Sequence, residues 1–144
     1  MIKCWNSFLK TFLQKIADLG EIPANFIVKN YLPQTDVLKY TKLFITHGGM
    51  NSTQEGLYFG VPLIVIPMSA DQPVIAGQVA SIGAGIKLHM HTLTEQQLRE
   101  AAYYVLNQPA FHKAVANIRE SLQKSGGYHK AVDEIFEFKS KYVF

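Results

Sequence analysis

The sequence holds one cysteine, Cys4, in 144 residues. A lone cysteine closes no disulfide within the chain and builds no thiolate cluster for a metal, so the expected setting is a reducing cytoplasm. Long apolar runs are also missing. The greasiest stretch, Leu57 to Met68, is interrupted by Gly60, Pro62 and Pro67. It falls far short of the ~20 residues needed to span a bilayer. The N-terminus reads Met-Ile-Lys-Cys-Trp-Asn, without the apolar stretch or the small-residue cleavage site of a signal peptide. A soluble protein with no stable membrane anchor is expected. Charge of one sign is scarce as well. Fourteen basic and eleven acidic residues leave a net charge of +3, and the lysines are scattered. Nucleic acid is therefore not an expected partner. His89, His91, His112 and His129 are dispersed; they are expected on the surface, with no metal-ligand spacing among them. Repeats, low-complexity tracts and linkers are absent too.

What remains is an ordinary globular composition, 48% hydrophobic and 17% charged. Residues 1–144 suit one domain with a core of its own. Trp5, Phe8, Leu9, Phe12, Leu13 and Ile16 recur at helical spacing before Gly20. Strands are expected at Phe26–Tyr31, Leu43–Thr46, Pro62–Ile66 and Gly85–Leu88. Helices are expected between and after them: Asp36–Tyr40, Ser52–Phe59, from Pro73 to near Gly83, and from Thr94 to about Asn107. Two more are marked by Phe111, Val115, Ile118 and Leu122, and by Ala131, Val132, Ile135 and Phe136. Thr94 and Gln97 have the spacing of a capping box. Apolar strands alternating with helices imply a parallel sheet covered on both faces. The fold class is α/β, a Rossmann-like three-layer domain, whose ligands sit at the carboxyl ends of the strands.

One strand end stands out. After Leu43–Thr46 come His47, Gly48 and Gly49, then Asn51-Ser52-Thr53-Gln54-Glu55. Glycines let a backbone approach a ligand closely, and a helix start offers free N–H groups to an anion. Ser52 and Glu55 also have capping-box spacing, so these residues alone would describe a capped helix after a tight turn. Asp71 and Gln72, alone, would read as a polar cap before Pro73.

The neighbours change that reading. Tyr-Leu-Pro-Gln at 31–34, Thr-His-Gly-Gly-Met-Asn-Ser-Thr-Gln-Glu-Gly at 46–56, Gly-Val-Pro at 60–62 and Asp71-Gln72 follow in this order. This series resembles the donor-binding signature of the UDP-glycosyltransferase superfamily, most closely the bacterial macrolide and flavonoid glycosyltransferases. The signature covers about 42 residues, and the general resemblance runs from about Asp18 to Phe138.

The resemblance implies one half of the two-domain GT-B fold, the half that binds a UDP-sugar. UDP-glucose is the family's usual donor, for inverting transfer to a small-molecule hydroxyl. By it, Tyr31 stacks on uracil, Gln34 meets base or ribose, and Glu55 accepts from both ribose hydroxyls. His47, Gly49, Asn51 and Ser52 line the diphosphate, with His47 on the leaving-group side, and Asp71 and Gln72 read the sugar hydroxyls. Tyr31 and Met50 stand where many members carry tryptophan. No metal or other cofactor is implied. The family's base, a histidine oriented by an aspartate, belongs to the acceptor half, so no catalytic base is expected here. The family's donor half opens with a strand and a phosphate loop, whereas Met1–Ile16 reads as a helix; truncation at the N-terminus is the expectation. A subunit of a two-chain glycosyltransferase and a non-catalytic UDP-binding module are the alternatives. Exposed aromatic residues on the last helix would suit an acceptor half or self-association; a plain amphipathic helix packed on its own domain is the other reading.

Overall fold

The computed structural model describes residues 21–142. The helix expected over Trp5–Ile16 lies outside them. The elements in order are α1 (Gln34–Leu38), β1 (Phe44–Thr46), α2 (Met50–Tyr58), β2 (Leu63–Val65), α3 (Gln72–Ser81) and β3 (Gly85–Lys87). After a 3-10 turn at Met90–Thr92 follow α4 (Glu95–Asn107), α5 (Pro109–Lys124) and α6 (Gly127–Tyr142).

The three strands form one parallel sheet in the order β1-β2-β3. Phe44 pairs with Leu63, and Leu63 with Gly85. Side chains alternate across a strand, so an unbroken apolar run feeds two cores at once. Leu63 and Val65 enter one core with Phe44, Leu57, Ile75, Ala76, Val79 and Val115. Ile64 and Ile66 enter the other with Ala101 and Val105, flanked by Leu43, Ile45, Ile86 and Leu88. Thus α2, α3 and α5 cover one face and α4 the other, and the three-layer expectation holds. The wholly buried larger side chains, Phe44, Leu63, Ile64, Val65 and Ile66, each contribute about 1.5–3 kcal/mol. Thr94 caps α4 as expected, its hydroxyl accepting from the Gln97 amide while Gln97 returns a bond to the Thr94 N–H.

Two expectations need correction. Phe26–Tyr31 is not a strand, and the sheet has three strands rather than four among the described residues. Strand propensity is realised only when a ladder partner and a packing surface exist. Within the described residues β1 pairs with β2 alone, the Phe26 N–H closes a turn onto Pro23 O at 2.9 Å, and Ile27 and Tyr31 are exposed. The second correction concerns Ser52 and Glu55, which form no capping box. Gly49, extended at φ −61° and ψ 140°, is the N-cap and gives no side-chain cap bond. The helix therefore begins at Met50, and Ser52 and Glu55 lie inside it.

Helix α6 buries no residue. Tyr128, Val132, Ile135, Phe136, Phe138 and Tyr142 are all exposed. The helix is amphipathic, and among the described residues its apolar side is left exposed.

Sheet spacing sets a strict demand at Gly85. A Cβ there would lie 2.0 Å from the carbonyl oxygen of Leu63, which is backbone and cannot swing away. Gly85→Ala is expected to cost at least about 3 kcal/mol, the upper end of overpacking penalties. Gly77 is the control. It lies within α3 with nothing near its would-be Cβ, so Gly77→Ala should stabilise by about 0.5–1 kcal/mol. Urea denaturation of both variants checks the pair.

Candidate functional site

Two loops meet at the carboxyl edge of the sheet. The first carries β1 into α2 through His47, Gly48 and Gly49. Thr46 ends the strand wholly buried, and its hydroxyl accepts from the Gly48 N–H at 3.3 Å. Gly48 turns at φ +86°, a region that favours glycine. A Cβ on it would meet Val65 Cγ1 at 2.5 Å and the Gln72 carbonyl oxygen at 3.6 Å. The first loop thus lies directly against the second. Gly49 has an ordinary backbone conformation but little room beside it. Its would-be Cβ falls 2.6 Å from His47 Nε2, because the imidazole folds back over the turn. Nδ1 of the same ring is sealed from solvent, with no hydrogen-bond partner among the described residues.

Helix α2 then begins. Its first N–H groups precede the first intrahelical bond, from Thr53 N–H to Gly49 O at 2.9 Å. No acidic residue occupies the first turn, so nothing offsets the positive end of the helix dipole. Asn51 is exposed and Ser52 half-buried.

On the outer flank of α2 the chain places Gln34, the first residue of α1. Its Nε2 donates to Glu55 Oε2 at 2.6 Å and lies 3.3 Å from Ser52 Oγ. One amide thereby links residues 18 and 21 positions away and holds one oxygen of the Glu55 carboxylate, leaving the second free of it. Tyr31, three residues earlier, is 75% exposed, so its ring is available as a flat surface and does not fill the core.

The second loop, Pro67–Asp71, joins β2 to α3. Gln72 Oε1 accepts from the backbone N–H groups of Met68, at 2.9 Å, and Ser69, at 3.2 Å. The Gln72 N–H returns a bond to Ser69 O at 3.3 Å. Ala70 is held at φ +55°, the one non-glycine with positive φ among the described residues. Asp71 is the N-cap of α3, but its carboxylate caps nothing and is exposed.

The structure therefore links Gln34, Ser52 and Glu55 across α1 and α2, and His47, Gly48, Gly49 and Gln72 across the loops, while Tyr31, Asn51 and Asp71 stand exposed beside them in sequence. Met68, Ser69 and Ala70 were missed by sequence reasoning, and Thr46 was read only as part of the 46–56 series. Thr46 left a signal, since a threonine ending a strand before two glycines is placed to bond the turn. His89, His91, His112 and His129 are exposed, as expected. An open cavity of about 400 Å³ lies elsewhere, beside β3 and α4, lined by Lys87, His89, Glu100 and Tyr104 among others. None of the predicted site residues lines it.

Comparison with known proteins gives this geometry its family. The sequence profile of the erythromycin biosynthesis protein CIII-like C-terminal domain matches residues 9–132. The chain belongs to the EryCIII-like C-terminal domain family. Its fold is one half of the GT-B glycosyltransferase architecture. The uncharacterized UDP-glucosyltransferase YojK of Bacillus subtilis is 48% identical over 123 residues, 85% of this chain and 30% of YojK. The solved glycotransferase of kitacinnamycin superposes with a TM-score of 0.78 at 39% identity, covering 83% of this chain and 31% of its own. Os79 from O. sativa, solved in complex with UDP and deoxynivalenol-3-glucoside, superposes with a TM-score of 0.71 at 27% identity over 81% of this chain and 29% of its own. The chain thus spans about a third of the length of these relatives. Among the described residues, no helix is long and apolar enough to cross a membrane.

The Gln34–Glu55 bond is the most direct geometric statement about this EryCIII-like site. A double-mutant cycle with Gln34→Ala and Glu55→Ala should return a coupling of about 1 kcal/mol, as expected for a half-buried bond to a charged acceptor. A coupling near zero in denaturation experiments would separate the two residues.

Proposed function

We propose that this chain binds the uridine diphosphate sugar donor of a glycosyltransferase, with glucose as the sugar. Glu55 carries the reading. It is a carboxylate with one oxygen held by Gln34, on the helix whose uncapped start follows the His47-Gly48-Gly49 turn. Such a carboxylate suits a ribose diol, because it offers acceptors only and a diol offers two donors. In this reading Tyr31 stacks on the base and Gln34 meets the base or ribose while orienting Glu55. His47, Gly49, Asn51 and Ser52 surround the diphosphate, where donors stabilise the charge that develops on the leaving group. Asp71 and Gln72 read the sugar. No metal or other cofactor has a part in it. Os79 with its bound UDP, and YojK by its name, support uridine as the base.

The acceptor and the catalytic base come, in this proposal, from an acceptor-binding half. Inverting attack needs a base within about 2.6–3.2 Å of the acceptor's proton. It must also stand on the face of the sugar opposite the leaving diphosphate. His47 sits on the diphosphate side and cannot serve. The exposed apolar side of α6 supports such a partner, since Ile135, Phe136, Phe138 and Tyr142 each remain more than 60% exposed and together exceed scattered surface hydrophobics.

Two measurements test this reading. Calorimetry should show UDP bound more tightly than dTDP by about five-fold or more, because deoxyribose leaves one carboxylate oxygen poorly satisfied. Glu55→Ala should weaken UDP binding and remove most of that preference; equal affinities in the parent chain would count against the assignment. Incubated with UDP-glucose and phenolic or macrolide acceptors, the chain alone should transfer no sugar. Mixed with the acceptor half of a related enzyme, it should. Robust transfer without the added half would defeat the proposed division of labour.

A further inference from the structure

We propose that the open cavity at the exit of β3 is a second binding site, for a small aromatic acid whose ring carries a hydroxyl at its far end. It stands apart from the donor reading, since none of the residues assigned to the donor lines this cavity.

The three strands are parallel, so the segments leaving them emerge at one edge of the sheet. His47 follows β1, the Pro67–Asp71 loop follows β2, and Leu88 and His89 follow Lys87, the last residue of β3. Neighbouring strands stand about 4.8 Å apart, which puts the β3 exit roughly 10 Å across the sheet from the β1 exit. A ligand there neighbours the donor loops without sharing their residues. The cavity measures about 400 Å³, toward the lower end of the roughly 300–1,000 Å³ common for small-molecule sites. That is space for one or two rings.

The β3 exit forms one wall. Helix α4 forms the other, where Gln97, Glu100, Ala101 and Tyr104 recur at helical spacing along one side. Between them Leu88, Leu93 and Ala101 supply apolar lining. The Tyr104 ring is held edge-on against Phe111, with centroids 5.6 Å apart. These surfaces suit a flat apolar body, not a bare ion.

The polar groups decide what that body carries. Lys87 is half-buried, and among the described residues its ammonium has no ion pair. His89 adds a ring N–H beside it, in either tautomer. The strand wall therefore calls for an anion. On the helix wall, Gln97 is committed to the Thr94 cap. Glu100 accepts from Gln96 Nε2 at 2.8 Å through Oε1, and among the described residues its other oxygen has no partner. The helix wall therefore calls for a donor. An aromatic acid with a distal hydroxyl meets both walls at once, its carboxylate toward Lys87 and its hydroxyl toward Glu100. Inorganic phosphate would leave Glu100 and the leucines without a counterpart.

NMR on the isotopically labelled full chain tests the site with 4-hydroxybenzoate, benzoate and 4-hydroxybenzyl alcohol. The first should shift the amide signals of Leu88, Leu93 and Ala101 and leave those of Gly48 and Gly49 in place. Its dissociation constant should be about 1 mM or tighter, ordinary for a molecule of its size. Benzoate and the alcohol each lack one end and should bind about five-fold more weakly. Lys87→Met should weaken 4-hydroxybenzoate by a similar factor and leave the alcohol unchanged. Glu100→Met should weaken 4-hydroxybenzoate and leave benzoate unchanged. The parent spectrum, retained outside the cavity, shows that each variant folds; were one to lose it, the three probes on the parent chain decide alone. Absence of shifts at Leu88, Leu93 and Ala101 with about 10 mM probe would overturn the site. Equal affinity for all three probes would overturn the ligand class. UDP titrated into the same sample reads the donor site separately.

Discussion

Strand β2 has no side exposed to water. Leu63, Ile64, Val65 and Ile66 are each at most 1% accessible. They alternate between two cores, and parallel neighbours stand on both flanks. A strand in that position cannot shift register by one residue, because every side chain would change core. Its carboxyl end is therefore a fixed point, and the loops leaving β1 and β2 are built from it. Val65 shows the link directly. It is buried in the core, and its Cγ1 is also the atom that a Cβ at Gly48 would strike. The turn carrying His47 rests on the sheet itself.

That dependence explains which parts of the chain were legible from sequence. Strand β2 appeared as a short apolar run after Pro62, because full burial on both faces leaves no alternation, and β1 and β3 stood out as short segments next to glycines. The Thr94–Gln97 box was legible because capping is local chemistry. Phe26–Tyr31 misled for the opposite reason. Its strand-forming residues need a neighbouring strand, and propensity does not report whether one is present. Ser52 and Glu55 misled because the same spacing serves two purposes. Residues three apart can close a helix start, or they can face outward from one side of a helix toward a common partner. Gln34 is that partner, and a residue 21 positions away leaves no periodic trace in the sequence.

The family match covers residues 9–132, and the candidate site residues stand in the sequence as one ordered series. What the sequence could not carry was their mutual orientation. Gln34 and Gln72 are alike in composition and opposite in use. The first turns its N–H group inward onto Glu55. The second turns its oxygen inward onto a loop backbone. One site thus uses a single side-chain type to present different chemistry to its two ends, and the choice at each end is made by what the nearest backbone or carboxylate can offer.

Helix α6 follows from the same economy of surfaces. The cores are filled by α2, α3 and α5 on one face and α4 on the other. Among the described residues, helices already cover both faces of the sheet. An amphipathic helix without an apolar surface to meet keeps its apolar side free, and among the described residues α6 does so along Val132, Ile135 and Phe136. Ordered apolar side chains left in water gain nothing from burial, so a surface of this kind is stable in use only when something else supplies the second half of the contact.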